Sequence, residues 1–192
     1  MPLTLITPPA SEPLDVSEAK LYARISQADE DVLVEDLIRA ARELVEGRGI
    51  AIHTQTWEYA LDRFPVCFRL PIAPLQSVTS ITYTDSDGVA TVLAADQYTV
   101  DTRSRPARIV PAYGVSWPAT RTVPNAVVVK FVAGFDPANP EQIRSYERVR
   151  QYMRFMVARM YERQGSDGTN PTEILATNDF LDHLLDDLVV YM

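Results

Sequence analysis

At 192 residues, with 46% hydrophobic and 23% charged residues, the chain is long and apolar enough for one buried domain, or a domain carrying an insertion. The formal net charge of −8 counts against nucleic acid as the main partner. A single cysteine, Cys67, excludes an internal disulfide, and no apolar run approaches the roughly 20 residues that span a bilayer. The N-terminus has neither the basic start nor the long apolar run of a secretory signal, so synthesis in the cytoplasm is expected, with no membrane partner.

Residues 1–13, with Pro8, Pro9 and Pro13, read as an extended N-terminal arm. A connected domain is expected over 14–164. Its first helix spans 15–25, capped by Asp15 or Ser17, with Glu18 well placed near the N-terminus. The second spans 29–47. Its apolar positions Val34, Leu37, Ile38, Ala41, Leu44 and Val45 follow the spacing of one buried helix face, and Gly47 and Gly49 end it.

From about Thr54 the period changes to that of strands, and a β-rich insert is expected over 54–134. Trp57 to Asp62 alternates, and Leu70 to Leu75 is a proline-punctuated connector. Val78 to Thr84 and Val89 to Leu93 pair around the turn Asp85-Ser86-Asp87-Gly88. Tyr98 to Val100, Arg108 to Val110 and Ala126 to Ala133 supply further strands. The last of these is the most apolar, which predicts the deepest burial.

A long helix is expected over 140–164, with Asn139 as N-cap and Pro140 at its first position. Tyr146, Val149, Met153, Met156 and Met160 make a heptad-like seam. Residues 165–192 are a loop followed by a C-terminal docking segment. The fold class is thus α+β: a small bundle of helices, two N-terminal and one long C-terminal plus a tail segment, with a β-rich insert between helices 2 and 3.

No catalytic residue, metal site or cofactor is predicted. His53 and His183 stand outside any metal-binding spacing. Asp179, Asp182, Asp186 and Asp187 lack the glycine and the alternating ligands of a calcium loop. Cys67, beside Phe64, Val66 and Phe68, suits packing as a small hydrophobe. The chain has no glycine-rich phosphate loop and no Gly-x-Ser-x-Gly.

Two features suit partners instead. Residues 141–171 hold six arginines, Arg144, Arg148, Arg150, Arg154, Arg159 and Arg163, against four acids. They form either a solvated helix face paired in part with Glu147 and Glu162, or a basic surface lining a channel or a neighbouring subunit. Residues 172–192 hold five acids and no base. Their apolar positions, Phe180, Leu181, Leu184, Leu185, Leu188 and Tyr191, either cover the core or dock on another protein.

In order and spacing, several stretches resemble the head–tail connector (adaptor, or head completion) family of tailed phages. They are Leu14-Asp15-Val16-Ser17-Glu18-Ala19-Lys20, Asp29-Glu30-Asp31 through Ala40-Ala41-Arg42, and Thr54-Gln55-Thr56-Trp57. Leu70-Pro71 with Pro74-Leu75-Gln76-Ser77-Val78-Thr79-Ser80-Ile81, then Asp96-Gln97-Tyr98, Arg105-Pro106-Ala107-Arg108-Ile109, Trp117-Pro118 and Phe131-Val132-Ala133-Gly134-Phe135, continue it. The resemblance covers about residues 13–164.

It implies a non-enzymatic virion protein of the neck between head and tail, in an infectious phage, a prophage remnant or a gene transfer agent, made in the host bacterial cytoplasm. Such a protein forms a homo-oligomeric ring, typically of twelve, under the portal protein. It extends the channel through which double-stranded DNA passes without sequence-specific binding, and offers a platform to stopper and tail-terminator proteins. The resemblance favours portal docking for the C-terminal apolar face, and raises the channel or inter-subunit reading of the helix arginines. The alternatives are a stopper or tail terminator of the same neck, a small DNA-binding regulator using the arginine-rich helix, or a small enzyme built around Cys67 or His53.

Overall fold

The computed structural model describes residues 2–136 and 138–164, together with 183, 185, 186, 188 and 189. These divide into two compact units. One, β-rich, holds residues 2–10 and His53–Phe135; the other, helical, holds the described residues of Ser11–Ile52 and Asp136–Val189. The α+β class is as expected, with the β-rich region between the second and third helices.

In the β-rich unit, strands β1 (Leu3–Thr7), β2 (Gln55–Leu61), β3 (Phe68–Arg69), β4 (Leu75–Thr84), β5 (Ala90–Val92), β6 (Tyr98–Asp101), β7 (Arg108–Pro111) and β8 (Val127–Ala133) form two antiparallel sheets. The larger has the order β1-β2-β8-β4-β5, the smaller β3-β7-β6. Strand β8 occupies the middle of the large sheet. Its Val127, Val129, Phe131 and Ala133 are fully buried and alternate with half-buried Val128, Lys130 and Val132. That period of two puts one face on the core and fixes the register, because a slip of one residue would bury Lys130.

Gly134 lets the chain leave β8. Its φ is 141°, and a Cβ there would lie 2.3 Å from the His53 carbonyl oxygen. The β4–β5 turn forms as expected: the Asp85 carboxylate accepts from the Asp87 and Val89 amides at 3.0 and 2.9 Å, and Gly88 takes φ 89°.

The N-terminal arm, expected to be extended without forming a regular element, instead contributes Leu3–Thr7 as an edge strand paired with β2. Its partner lies some fifty residues away, beyond the reach of local patterning. Pro2 and Pro8 flank the strand without entering it, so every amide within it remains a donor. The two-residue strand β3 also falls outside the sequence expectation. It runs into the proline-rich connector, where Leu70, Ile72 and Ala73 are buried.

The helical unit comprises α1 (Val16–Ala23), a 3₁₀ turn at Ala28–Glu30 leading into α2 (Asp31–Glu46), and α3 (Pro140–Gln164). Asp15 caps α1 by accepting from the Ser17 amide at 2.7 Å. The helix stops two residues short of Ile25, where Arg24 adopts the left-handed conformation at φ 57°. Helix α2 buries Val34, Leu37, Ile38, Ala41 and Val45 as its periodicity predicts, and also Arg42, whereas Leu44, expected on the same face, lies at its margin and is exposed. Asn139 Oδ1 accepts from the Glu141 amide at 3.0 Å and so caps α3.

The buried face of α3 is wider than the expected seam. Val149, Tyr152, Met153, Met156 and Val157 are buried, whereas Tyr146 and Met160 are only half-buried. Helix α3 packs on both α1 and α2, and two neighbours demand a broader apolar stripe than one coiled-coil partner does.

Candidate functional site

The six arginines of α3 do not form one free basic face. Glu18, on α1, holds two of them: Arg150 Nη2 donates to Glu18 Oε2 at 2.7 Å, and Arg154 Nε to Glu18 Oε1 at 2.6 Å. Arg150 also donates to Glu147 at 3.0 Å and to the Pro13 carbonyl at 3.0 Å. Both guanidinium side chains are only 20% exposed. Burial pulls the Arg150 pKa down, but the anions Glu147 and Glu18 outweigh it and hold it above the ordinary value. Arg144 is exposed, while Arg148 and Arg159 are half-buried and engaged in contacts of their own. Arg163 lies in α3, and its side chain is outside the described residues.

A buried ion-pair group that sequence reading missed lies at the far end of α2. Arg42, 8% exposed, donates to Glu12 at 2.8 Å and to Glu46 at 2.7 Å. Burial again lowers its pKa and the two carboxylates more than restore it. The i, i+4 spacing of Arg42 and Glu46 is visible in the sequence, but the third member, Glu12, comes from the segment before α1. In both groups a partly buried arginine is held by carboxylates from its own helix and from the segment around α1.

Of the C-terminal apolar set, Leu185 and Leu188 are buried at 0% and 2% exposure, and the Leu188 and Val189 amides both donate to the Leu185 carbonyl. Phe180, Leu181, Leu184 and Tyr191 lie outside the described residues. His183 and Asp186 pair with each other at 2.6 Å on the exposed side. Cys67 is half-buried, its Sγ donating to the Phe68 carbonyl at 3.4 Å. Among the described residues, no group of three or more His, Cys, Asp or Glu could hold a metal ion, and no helix is long and apolar enough to cross a membrane.

Two arrangements in the β-rich unit had no sequence signal strong enough to find them. Phe64 stacks on Trp117 with ring centroids 4.9 Å apart, and both meet Phe68 edge-on at 5.8 and 5.3 Å. The Trp117 indole N–H is buried there with no acceptor among the described residues. The small sheet places Arg69, Arg108 and Asp101 side by side across β3, β7 and β6. Asp101 accepts from Ser104 Oγ at 2.6 Å and from Arg108 Nη2 at 2.7 Å. The Ser104 hydroxyl first, and then Arg108, hold its carboxyl far below the usual range.

Helices interrupted by an antiparallel β-rich unit, with ion pairs between the helices, make an α+β protein. No protein-family model matches the chain, and no curated protein does. Solved structures do match, and they are virion components. The chain is similar to one from the virion of a native gene transfer agent (GTA) particle, with 26% identity and a TM-score of 0.74 over 100% of this chain and 97% of that one. A chain from the neck of an empty GTA particle, computed with C6 symmetry, matches with the same figures. A third, from the neck of a native GTA particle computed with C12 symmetry, gives 26% identity and a TM-score of 0.68 over 96% and 94% of the two chains. The end-to-end likeness agrees with the connector-type resemblance carried by the sequence motifs.

Proposed function

We propose that this chain is a structural, non-enzymatic subunit of the neck of a tailed-phage-like particle, and within the neck the head–tail connector (adaptor). In this reading copies form a ring under the portal, continue the DNA channel and present a platform to stopper and tail proteins. One observation carries the proposal: 26% identity with a TM-score of 0.74 over the whole chain to a GTA neck component. The C12 and C6 symmetries of the neighbours' necks support a ring, with twelve copies as the natural count. The long helix α3 and the β-rich unit between α2 and α3 favour the adaptor over a compact β-rich stopper or tail terminator.

The burial of Leu185 and Leu188 refines the role of the C-terminal segment. In the free subunit these two leucines are already shielded from solvent. Docking on the portal through the same residues then requires the segment to leave that position, exchanging one apolar contact for another. For the helix arginines, the pairing of Arg150 and Arg154 with Glu18 leaves Arg144 as the best placed to meet a neighbour or DNA.

The test is native mass spectrometry of the full chain mixed with the cognate portal ring. The expected result is a complex with as many copies of this chain as the portal ring has subunits, lost on deletion of 172–192. A full-length chain that ignores the portal, yet joins a complex of stopper and tail proteins, would replace the adaptor with the stopper reading.

A further inference from the structure

The outer face of the small sheet carries more arginine than its one carboxylate neutralises among the described residues. Phe68 and Ile109, opposite each other on β3 and β7, are buried. Arg69 and Arg108, the next pair in the same register, therefore project from the other face, and both are exposed. Like charges directly opposed across strands destabilise the pair. Asp101 neutralises Arg108 but not Arg69, and among the described residues the side chains of Arg69 and Arg103 have no ion-pair partner. Arg69, Arg103 and Arg108 thus stand against the single carboxylate Asp101 in a chain of net charge −8.

The pattern has a counterpart on the same chain. The exposed stripe of α2 carries Glu35, Asp36 and Glu43 around a single base, Arg39, which pairs with Asp36 at 3.3 Å. The exposed apolar residues Val32 and Leu44 lie on that stripe, as Val110 lies on the sheet face. One surface is basic with a single acid, and the other is acidic with a single base. A duplex would present only phosphates to Asp101, whereas a mixed protein surface can answer both signs.

We propose that the arginine face of the small sheet, Arg69, Arg103 and Arg108, docks on the acidic outer stripe of α2, Glu35, Asp36 and Glu43, of a second copy of this chain. The contact is heterologous, using different patches on the two copies, and repeated contacts of that kind close into rings when the rotation permits. It deepens the ring reading by naming its interface, and it rests on that reading only for the biological setting.

A charge-reversal cycle tests it without the portal. Self-association of the full chain is measured by sedimentation equilibrium at high protein concentration and low ionic strength, for the wild type, for R69E/R103E and for E35K/E43K. The wild type should associate and should dissociate as salt is added. Each variant should bind itself at least about tenfold more weakly, and an equimolar mixture of the two should recover association, because reversed faces then meet reversed stripes. Matching circular dichroism and melting curves show that the variants are folded.

A wild type that stays monomeric throughout, a variant that associates like the wild type, or a mixture that fails to recover overturns the interface. So does salt-sensitive binding of a labelled DNA duplex that R69E/R103E abolishes while leaving self-association intact, which would assign the face to DNA. Portal binding is scored separately. Ring-stoichiometric binding with no charge-reversal effect removes only this interface, whereas a working charge cycle without portal binding removes only the adaptor reading.

Discussion

The arginines of α3 and those of the small sheet carry the same side chain to opposite ends. Arg150 and Arg154 belong to the most basic segment of the sequence, yet one glutamate from α1 takes up both and they are largely covered. Arg69 and Arg103 come from a stretch whose charges balance overall, yet their side chains stand exposed and unpaired among the described residues. The lesson is that a count of charge along a sequence does not measure charge available at a surface. A guanidinium with a carboxylate at 2.7 Å presents little net field to a partner, however many arginines surround it.

The largest effect should come from Glu18. Replacing it with alanine leaves two partly buried guanidinium groups without their shared anion. E18A should cost about 2 kcal/mol in denaturant unfolding, seen as a lower midpoint with an unchanged slope. A loss within the noise of such curves would mean that α3 carries a solvated arginine face after all, and the contrast with the small sheet would dissolve.

A smaller effect, with a pH signature, belongs to Asp101. Hydrogen bonds from Ser104 and Arg108 depress its folded pKa, so its contribution to stability is present above the unfolded value of about 3.9 and is lost as pH falls through the folded one. The melting temperature of D101N should therefore lie below that of the wild type by a constant margin from neutral pH to about 5. The margin should narrow only below about pH 4. A margin that narrows nearer neutrality would show that Asp101 is not held by these partners.

The smallest effect on stability should be that of Arg69. R69S removes a side chain with no internal ion pair and relieves its repulsion with Arg108, so the unfolding free energy should change by no more than about 0.5 kcal/mol, in either direction. The same change should weaken self-association. A stability loss as large as that of E18A would show that Arg69 has structural work inside the fold and is not held ready for a partner.

Much of the architecture is legible in short windows. The stripe from Val34 to Val45 apart from Leu44, the alternation of Val127 to Ala133, the Asp85–Gly88 turn and the Asn139-Pro140 start of α3 all formed where their patterns placed them. The strand at Leu3–Thr7, the two-residue strand at Phe68–Arg69 and the Phe64–Trp117 stack did not announce themselves. Each depends on a partner far along the chain, and five or two residues are too few to display a period.

The candidate surfaces divide in the same way. Composition and spacing were enough to show an α+β chain, a basic α3 and an acidic C-terminal segment, while the assembly reading came from the resemblance of its motifs. Which arginines are free depended on contacts across 132 and 136 residues to Glu18, and on a strand register that sets Arg69 against Arg108. Helix and strand periods are properties of neighbouring residues, so they are written locally. Ion pairing depends on distance in space and on exclusion of water, and those exist only once the chain has folded.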